Sequence, residues 1–176
     1  FQTASILTTT GFATANYIHW PAFTQVLLFL LFFIGGSAGS AGGGVKVIRI
    51  VALFKMGRAQ IKHRIHPRGV FQVRVGQTTF HEDLLVSIAT FFGVYILTGV
   101  VGAVVISLSG ADPLTSFSAS FLFLGNIGIG FGEVGPAGNF AFLPSWIKWF
   151  CSFLMLVGRL ELFTVYVLFS KHFWKH

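Results

Sequence analysis

The sequence predicts an all-α integral membrane protein built from helix, pore loop, helix repeats, in which one membrane-crossing helix is broken. Hydrophobic residues make up 54% of its 176 positions and charged residues only 10%, far from the average of soluble proteins. Residues 84–108 contain no charged side chain and are numerous enough to cross a bilayer as a helix. Two other apolar stretches, 22–34 and 112–124, are too short to cross a bilayer, and each ends at a glycine-rich segment. These three observations define the fold class.

The clearer of these two segments follows a short helix. Asp112 suits the N-cap and Pro113 the first helical position, so a helix begins here and runs to about Leu124. Such a helix is about 18 Å long, against a hydrocarbon core of about 30 Å. The glycine-rich segment that follows, 125–132, would then lie at membrane depth, where irregular backbone is tolerated only if protein buries it or it lines a watery path. Since a helix C-terminus favours a cation, this segment is predicted to be a pore loop.

The beginning of the chain shows the same order of elements. Residues 1–7 read as the end of a short helix, and T-T-G-F-A follows at 9–13. The apolar stretch 22–34 is too short to cross the bilayer, and G-G-S-A-G-S-A-G-G-G at 35–44 interrupts it. Each glycine costs about 1 kcal/mol in a helix, so the helix is expected to break there and to resume from Val45 to about Phe54. Residues 21–54 are thus predicted to form one broken crossing.

The predicted helices and loops form two repeats. One short helix contains Ala4-Ser5-Ile6-Leu7 and another contains Ala119-Ser120-Phe121-Leu122, and each precedes a loop and a span. Repetition of this kind is typical of pseudo-symmetry about a pore axis. The predicted parts are 1–54, a pore helix, loop and broken inner helix; 55–80, a basic cytoplasmic loop; and 81–176, a complete repeat. The last span is expected to run unbroken from Pro144 to about Phe169, with Arg159 and Glu161 far from either end.

The positive charge is concentrated in one segment. Eight of the twelve Lys and Arg residues fall between positions 46 and 74, where there is no Asp or Glu. A net charge of +7 often indicates nucleic-acid binding, but a basic loop between apolar spans is better explained by the positive-inside rule. No nucleic-acid partner is therefore expected. Residues 55–80 and the C-terminus are predicted to be cytoplasmic, with a short strand within 70–75.

T-T-G-F-A at 9–13 and N-I-G-I-G at 126–130 are similar to the T-V-G-Y-G filter of potassium channels. Together with the glycine break at 35–44 and G-R-L-E at 158–161, they resemble the TrkH/KtrB superfamily of potassium uptake proteins, most closely its TrkH branch. The resemblance covers nearly the whole chain. It implies the C-terminal part of a subunit with four potassium-channel-type repeats, here the third without its outer helix and the complete fourth. It also implies K⁺ uptake across the cell inner membrane, a homodimer in contact with membrane lipid, a TrkA-type nucleotide-binding regulatory partner, and no cofactor.

The same resemblance assigns residues to roles. It implies two walls of a filter, with K⁺ at Thr9, Thr10, Asn126 and Ile127, and with Gly11 and Gly128 allowing the backbone to turn. Main-chain oxygens are the expected ligands, and the side chains of Thr9, Thr10 and Asn126 either add oxygens or brace the loop. It implies an intramembrane gating loop made of Gly35, Gly36, Ser37, Gly39, Gly42, Gly43 and Gly44. It implies that Arg159 is a cavity-facing charge near that loop. Because charges deep in a span are costly, we expect Arg159 to raise a positive barrier in the ion path and Glu161 to brace neighbouring helices; alternatively, both bind backbone carbonyls structurally. Ile129 departs from the family, which often has Pro there.

Other readings explain less of the sequence. Residues 35–39 match G-x-S-x-G and would make Ser37 a hydrolase nucleophile, but every histidine lies at a span edge or in a loop, so no base is at its depth. Residues 39–46 lack the G-K-[ST] ending of a phosphate-binding loop, and His63 with His66 has no convincing partner set for a metal. A purely structural scaffold has no use for paired loops, and ordinary turns would not recur at matching places. No enzymatic activity is expected.

Overall fold

Residues 1–37, 43–67, 69, 73–75, 78–160, 162–169 and 174 are described in a computed structural model. Among them the chain is mainly helical, with a small antiparallel hairpin and three single 3-10 turns, at Tyr17–His19, Leu31–Phe33 and Gly132–Val134. The helices are α1 Gln2–Leu7, α2 Ala22–Leu30, α3 Val47–Ile65, α4 Glu82–Ser107, α5 Pro113–Gly125, α6 Ser145–Arg159 and α7 Leu162–Leu168. The strands are β1 Val73–Val75 and β2 Thr78–Phe80, which pair with each other.

Helix α5 lies at the centre of the molecule. Ten of its residues are buried, and it packs between α4 and α6. The Asp112 carboxylate accepts a hydrogen bond from the Leu114 amide at 3.1 Å, so the predicted N-cap is present. Ser120 Oγ donates to the Gly99 carbonyl oxygen of α4 at 2.7 Å, which satisfies a buried hydroxyl in an otherwise apolar contact. The predicted short pore helix is therefore buried in protein on nearly every side.

Helix length separates the spanning elements from the partial ones. In the described part of the chain, Asp83–Ser107 is long and apolar enough to cross a membrane, and α6 with α7 is a second candidate if that bent pair counts as one span. The predicted span at 84–108 agrees with α4. Ala22–Phe33 and Pro113–Gly125 are apolar but shorter, as expected for half-crossings.

The broken helix is also found. The 3-10 turn that follows α2 ends at Phe33, and Ile34 is extended. The Gly35 amide donates to the Val45 carbonyl oxygen at 2.8 Å, so the two ends of the glycine segment are held together before α3 begins. Of the predicted gating residues, Gly39 and Gly42 lie outside the described residues. Gly35, Gly36, Ser37, Gly43 and Gly44 are all non-helical.

The prediction that the second half of the broken crossing ends near Phe54 is wrong. Helix α3 continues to Ile65, so the boundary placed between residues 54 and 55 falls inside a helix. Lys, Arg, Gln, Ala and Ile in this stretch favour helix, and the first residue that forbids it is Pro67. The hairpin then folds back, and Lys55 Nζ donates to the Arg74 carbonyl oxygen at 2.6 Å. The strand expected within 70–75 is present at Val73–Val75; residues 70–72 lie outside the described residues.

The last span is not one continuous helix, which corrects a second expectation. Helix α6 ends at Arg159, α7 begins at Leu162, and their axes differ in direction by 112°. Arg159 is therefore an exposed residue at a helix end, not a charge in the middle of a helix. Leu160 leaves helical geometry with ψ of 7°, directly after Gly158 and Arg159. Glu161 lies outside the described residues.

Candidate ion filter

The two loops that the sequence predicts as filter walls touch each other through their backbones. A Cβ built on Gly11 would lie 2.6 Å from the Ile127 carbonyl oxygen and 3.1 Å from Gly128 Cα. A Cβ built on Gly128 would in turn lie 3.1 Å from Gly11 Cα. Only glycine permits such an approach, because any side chain would push the loops apart. Two segments far apart in sequence thus form one site.

The two loops also have the same conformation. Thr9 and Asn126 each have φ of 54°, and two residues later Gly11 and Gly128 have φ of 77° and 99°. Such positive values are uncommon for residues other than glycine. The shared pattern indicates that both loops leave their helices in the same way.

Hydrogen bonds at the helix ends confirm this equivalence. The Thr9 amide donates to Ile6 and the Thr10 amide to Ser5, at 3.1 and 2.9 Å. The Asn126 amide donates to Phe123 and the Ile127 amide to Leu122, at 3.1 and 3.0 Å. Both sets are the Schellman arrangement, in which a left-handed residue ends a helix.

This pattern defines the register between the two preceding helices. In the hydrogen-bond pattern Ser5 corresponds to Leu122, not to Ser120 as its letter match suggests. The matched Ala-Ser pairs are therefore two residues out of register. The filter segments themselves, Thr9–Gly11 and Asn126–Gly128, are matched correctly.

Side chains of the filter segments brace the loops. Asn126 Nδ2 donates to the Met155 carbonyl oxygen of α6 at 3.0 Å. The hydroxyls of Thr8 and Thr10 lie 2.7 Å apart, and Thr8 Oγ1 also donates to the Ala4 carbonyl oxygen at 2.7 Å. The Ile127 side chain is buried. What the second segment can offer an ion is therefore its main chain, while Asn126 ties that segment to α6.

The backbone beyond Gly128 is anchored by three hydroxyls that the sequence analysis did not single out. Tyr17 Oη donates to the Gly130 carbonyl oxygen at 2.6 Å, which joins the two repeats. Ser118 Oγ accepts from the Phe131 amide at 2.6 Å, and Thr115 Oγ1 accepts from the Glu133 amide at 3.2 Å. Ile129, where the family often has Pro, is buried in the core. A cluster of hydroxyl residues within an apolar pore helix was the available signal for Thr115 and Ser118; Tyr17 had none.

Two further glycines fix the base of the second segment. A Cβ on Gly43, in the glycine segment, would overlap the Gly125 carbonyl oxygen. A Cβ on Gly158, in α6, would overlap the Leu124 carbonyl oxygen. The side-chain nitrogen Asn126 Nδ2 is 3.2 Å from the first of these Cβ positions and 3.3 Å from the second. The C-terminal end of α5 is thus packed against the glycine segment on one side and α6 on the other, and Arg159 is the next residue along the chain.

Comparison with known proteins agrees with this geometry. The family model described as "TrkH: Cation transport protein" matches residues 1–175. The chain belongs to the TrkH family. The resemblance drawn from the filter-like motifs is therefore confirmed, and with it the pore-loop membrane fold and a membrane location.

Individual TrkH-family members match over nearly the whole chain. The Trk system potassium uptake protein TrkH of Salmonella typhimurium is 42% identical over 175 residues, covering 99% of this chain and 36% of that protein. The protein named TrkG of Escherichia coli is 38% identical over 175 residues, with 99% and 36% covered. The crystal structure of the potassium transporter TrkH from Vibrio parahaemolyticus superimposes with a TM-score of 0.90 at 42% identity, covering 99% of this chain and 37% of that one. The chain spans about a third of the length of these relatives.

Proposed function

We propose that this chain supplies two walls of the potassium filter of an uptake protein in the cell inner membrane. The observation that carries the proposal is the pair of equivalent loops, which meet at Gly11 and Gly128. Relatives whose names state potassium uptake are 42% identical to this chain over the 175 matched residues. Conduction by the whole protein requires more of the protein than these 176 residues contribute.

Selection in this proposal uses main-chain oxygens. K⁺ loses its hydration shell on entering a filter, and backbone carbonyls replace the lost water ligands. Carbonyls of Thr9, Thr10, Asn126 and Ile127 serve as these ligands. The C-terminal end of α5 adds a partial negative charge of about half an elementary charge next to Asn126. No cofactor and no enzymatic step is needed.

Gating in this proposal uses the glycine segment below the filter. Gly43 abuts the Gly125 carbonyl, and Gly35 is held to Val45 by a backbone hydrogen bond of 2.8 Å. A displacement of the glycine segment would therefore move the C-terminal end of α5. The gating residues are Gly35, Gly36, Ser37, Gly39, Gly42, Gly43 and Gly44. In this role Ser37 is a loop residue and not a nucleophile.

The assembly follows the family resemblance. The uptake protein would be a homodimer regulated by a TrkA-type nucleotide-binding partner on the cytoplasmic side. Residues 55–80 and the C-terminus would face that side, because the eight cations between positions 46 and 74 follow the positive-inside rule.

Transport of K⁺ is tested with the natural full-length protein in lipid vesicles. We expect uptake of a rubidium tracer that excess K⁺ suppresses and equal Na⁺ does not, since carbonyl filters hold K⁺ and Rb⁺ in place of water. Growth of a bacterium without other K⁺ uptake systems on limiting K⁺ gives a cellular measurement. Tracer uptake that Na⁺ suppresses as well as K⁺ would contradict the proposed selectivity.

Arg159 is expected to restrain leak through the pore. A positive charge raises the energy of K⁺ by about 2 kcal/mol at a separation of about 8 Å and an effective dielectric constant of about 20. The Arg159→Ala variant should therefore leak K⁺ up to roughly thirtyfold faster in the resting state. The Arg159→Lys variant keeps the charge and should behave like the natural protein. Unaltered flux in Arg159→Ala at normal membrane abundance would refute this role.

A further inference from the structure

An apolar cavity that opens to the surface lies between the two halves of the broken helix and α4, and none of the candidate filter residues lines it. Its volume is about 780 Å³, within the range of small-molecule sites. The end of α2, the middle of α3 and one face of α4 form its walls. The side chains that define it include Leu30, Phe33, Phe54, Ile61 and Phe92. These residues are hydrocarbon or aromatic, so water gains no hydrogen bonds inside the cavity.

A positively charged side chain, Arg58, lines this cavity. Arg58 is exposed, as are Phe54 and Ile61 on the same helix. The segment 46–74 carries eight Lys or Arg residues and no Asp or Glu. An anion is therefore attracted to this end of the cavity.

Gly57 keeps the cavity open. It lines the cavity, and a Cβ built there would meet no atom within 4 Å. Gly57 lies within α3, where glycine costs about 1 kcal/mol relative to alanine. The α3 backbone itself therefore does not require glycine at this position. A larger side chain at Gly57 would extend into the cavity without displacing the protein.

We propose that this cavity binds an acyl chain of an anionic membrane phospholipid, whose phosphate is held by Arg58. The ligand has two chemical parts, and the site offers a matching surface for each: apolar walls for the chain and a guanidinium for the phosphate. Basic pockets between membrane helices hold anionic lipid headgroups by the same chemistry. The proposal depends on the membrane location of the TrkH family and not on ion conduction. Lipid binding at this cavity and K⁺ conduction can therefore be disproved independently of each other.

The test measures lipid retained by the natural full-length protein. Protein is purified in detergent, exposed to equal amounts of phosphatidylglycerol and phosphatidylcholine, and analysed by native mass spectrometry. We expect phosphatidylglycerol to be retained in preference. Arg58→Gln should weaken that preference about fivefold, the effect of one cation at an anionic membrane surface. Gly57→Leu should reduce retention of the lipid itself by filling the cavity.

Arg64→Gln is the matched control. It removes one charge from the same helix, where Arg64 is exposed and does not line the cavity, and it should leave the preference unchanged. Equal losses in Arg58→Gln and Arg64→Gln would overturn the proposal, because the effect would then be that of general surface charge. Retention unaffected by Gly57→Leu would also overturn it. So would efficient disulfide cross-linking of Phe54→Cys between two copies in the membrane, since a second copy would then cover the cavity.

Discussion

The Gly11→Ala variant is expected to lose at least tenfold in K⁺ uptake and most of its preference for K⁺ over Na⁺. Gly11 has φ of 77°, where an L-residue costs about 1–2 kcal/mol, and its added Cβ would lie 2.6 Å from the Ile127 carbonyl oxygen. That oxygen belongs to the opposite wall, so relief of the clash moves the other filter segment as well. A tenfold loss needs only about 1.4 kcal/mol. Rubidium uptake in vesicles, with K⁺ and Na⁺ as competitors, measures both quantities.

Gly110 provides the control for this variant. It has φ of 83°, close to that of Gly11, but a Cβ built there meets no atom within 4 Å. Gly110→Ala thus introduces similar backbone strain away from the filter and should keep its ion preference. If Gly11→Ala retained natural selectivity at normal membrane abundance, the contact between the two loops would have no role in selection.

Local chemistry made the two paired loops of the candidate filter predictable from sequence. The Asp112-Pro113 start and the glycines after Leu124 determine where α5 begins and ends, and both act within a few residues. The filter segments were recognisable because each needs the same unusual backbone, supplied by Gly11 in one loop and Gly128 in the other. The uncharged apolar run that forms α4 was also recognisable from the sequence. These features do not depend on what surrounds them.

Features that depend on tertiary packing were predicted poorly. Polar composition after Phe54 suggested a loop, although a charged helix such as α3 is stable when one face packs on a hairpin and on α4. The predominantly apolar composition from Pro144 to Phe169 suggested one span, but hydropathy carries no information about direction, and the chain turns after Arg159.

The Gly158→Ala variant is expected to show the largest loss of stability among single changes near the filter. Its Cβ would overlap the Leu124 carbonyl oxygen, and backbone at a helix end cannot rotate aside as a side chain can. Overpacking of this kind costs about 1–3 kcal/mol. Movement of α6 away from α5 would also break the bond from Asn126 Nδ2 to the Met155 carbonyl oxygen, worth about 1 kcal/mol. Thermal unfolding of the purified protein and rubidium uptake measure the two consequences.

Gly93→Ala in α4 separates this effect from that of helix propensity. Gly93 is helical and exposed, and a Cβ built there meets no atom within 4 Å, so alanine should stabilise α4 by up to about 1 kcal/mol. Alanine at Gly158 brings the same gain in propensity, and a net loss there must come from the contact with Leu124. If instead both variants raised the unfolding temperature and left uptake intact, α6 would not be holding the end of the pore helix. The filter would then depend on Tyr17, Ser118 and Thr115 for its position.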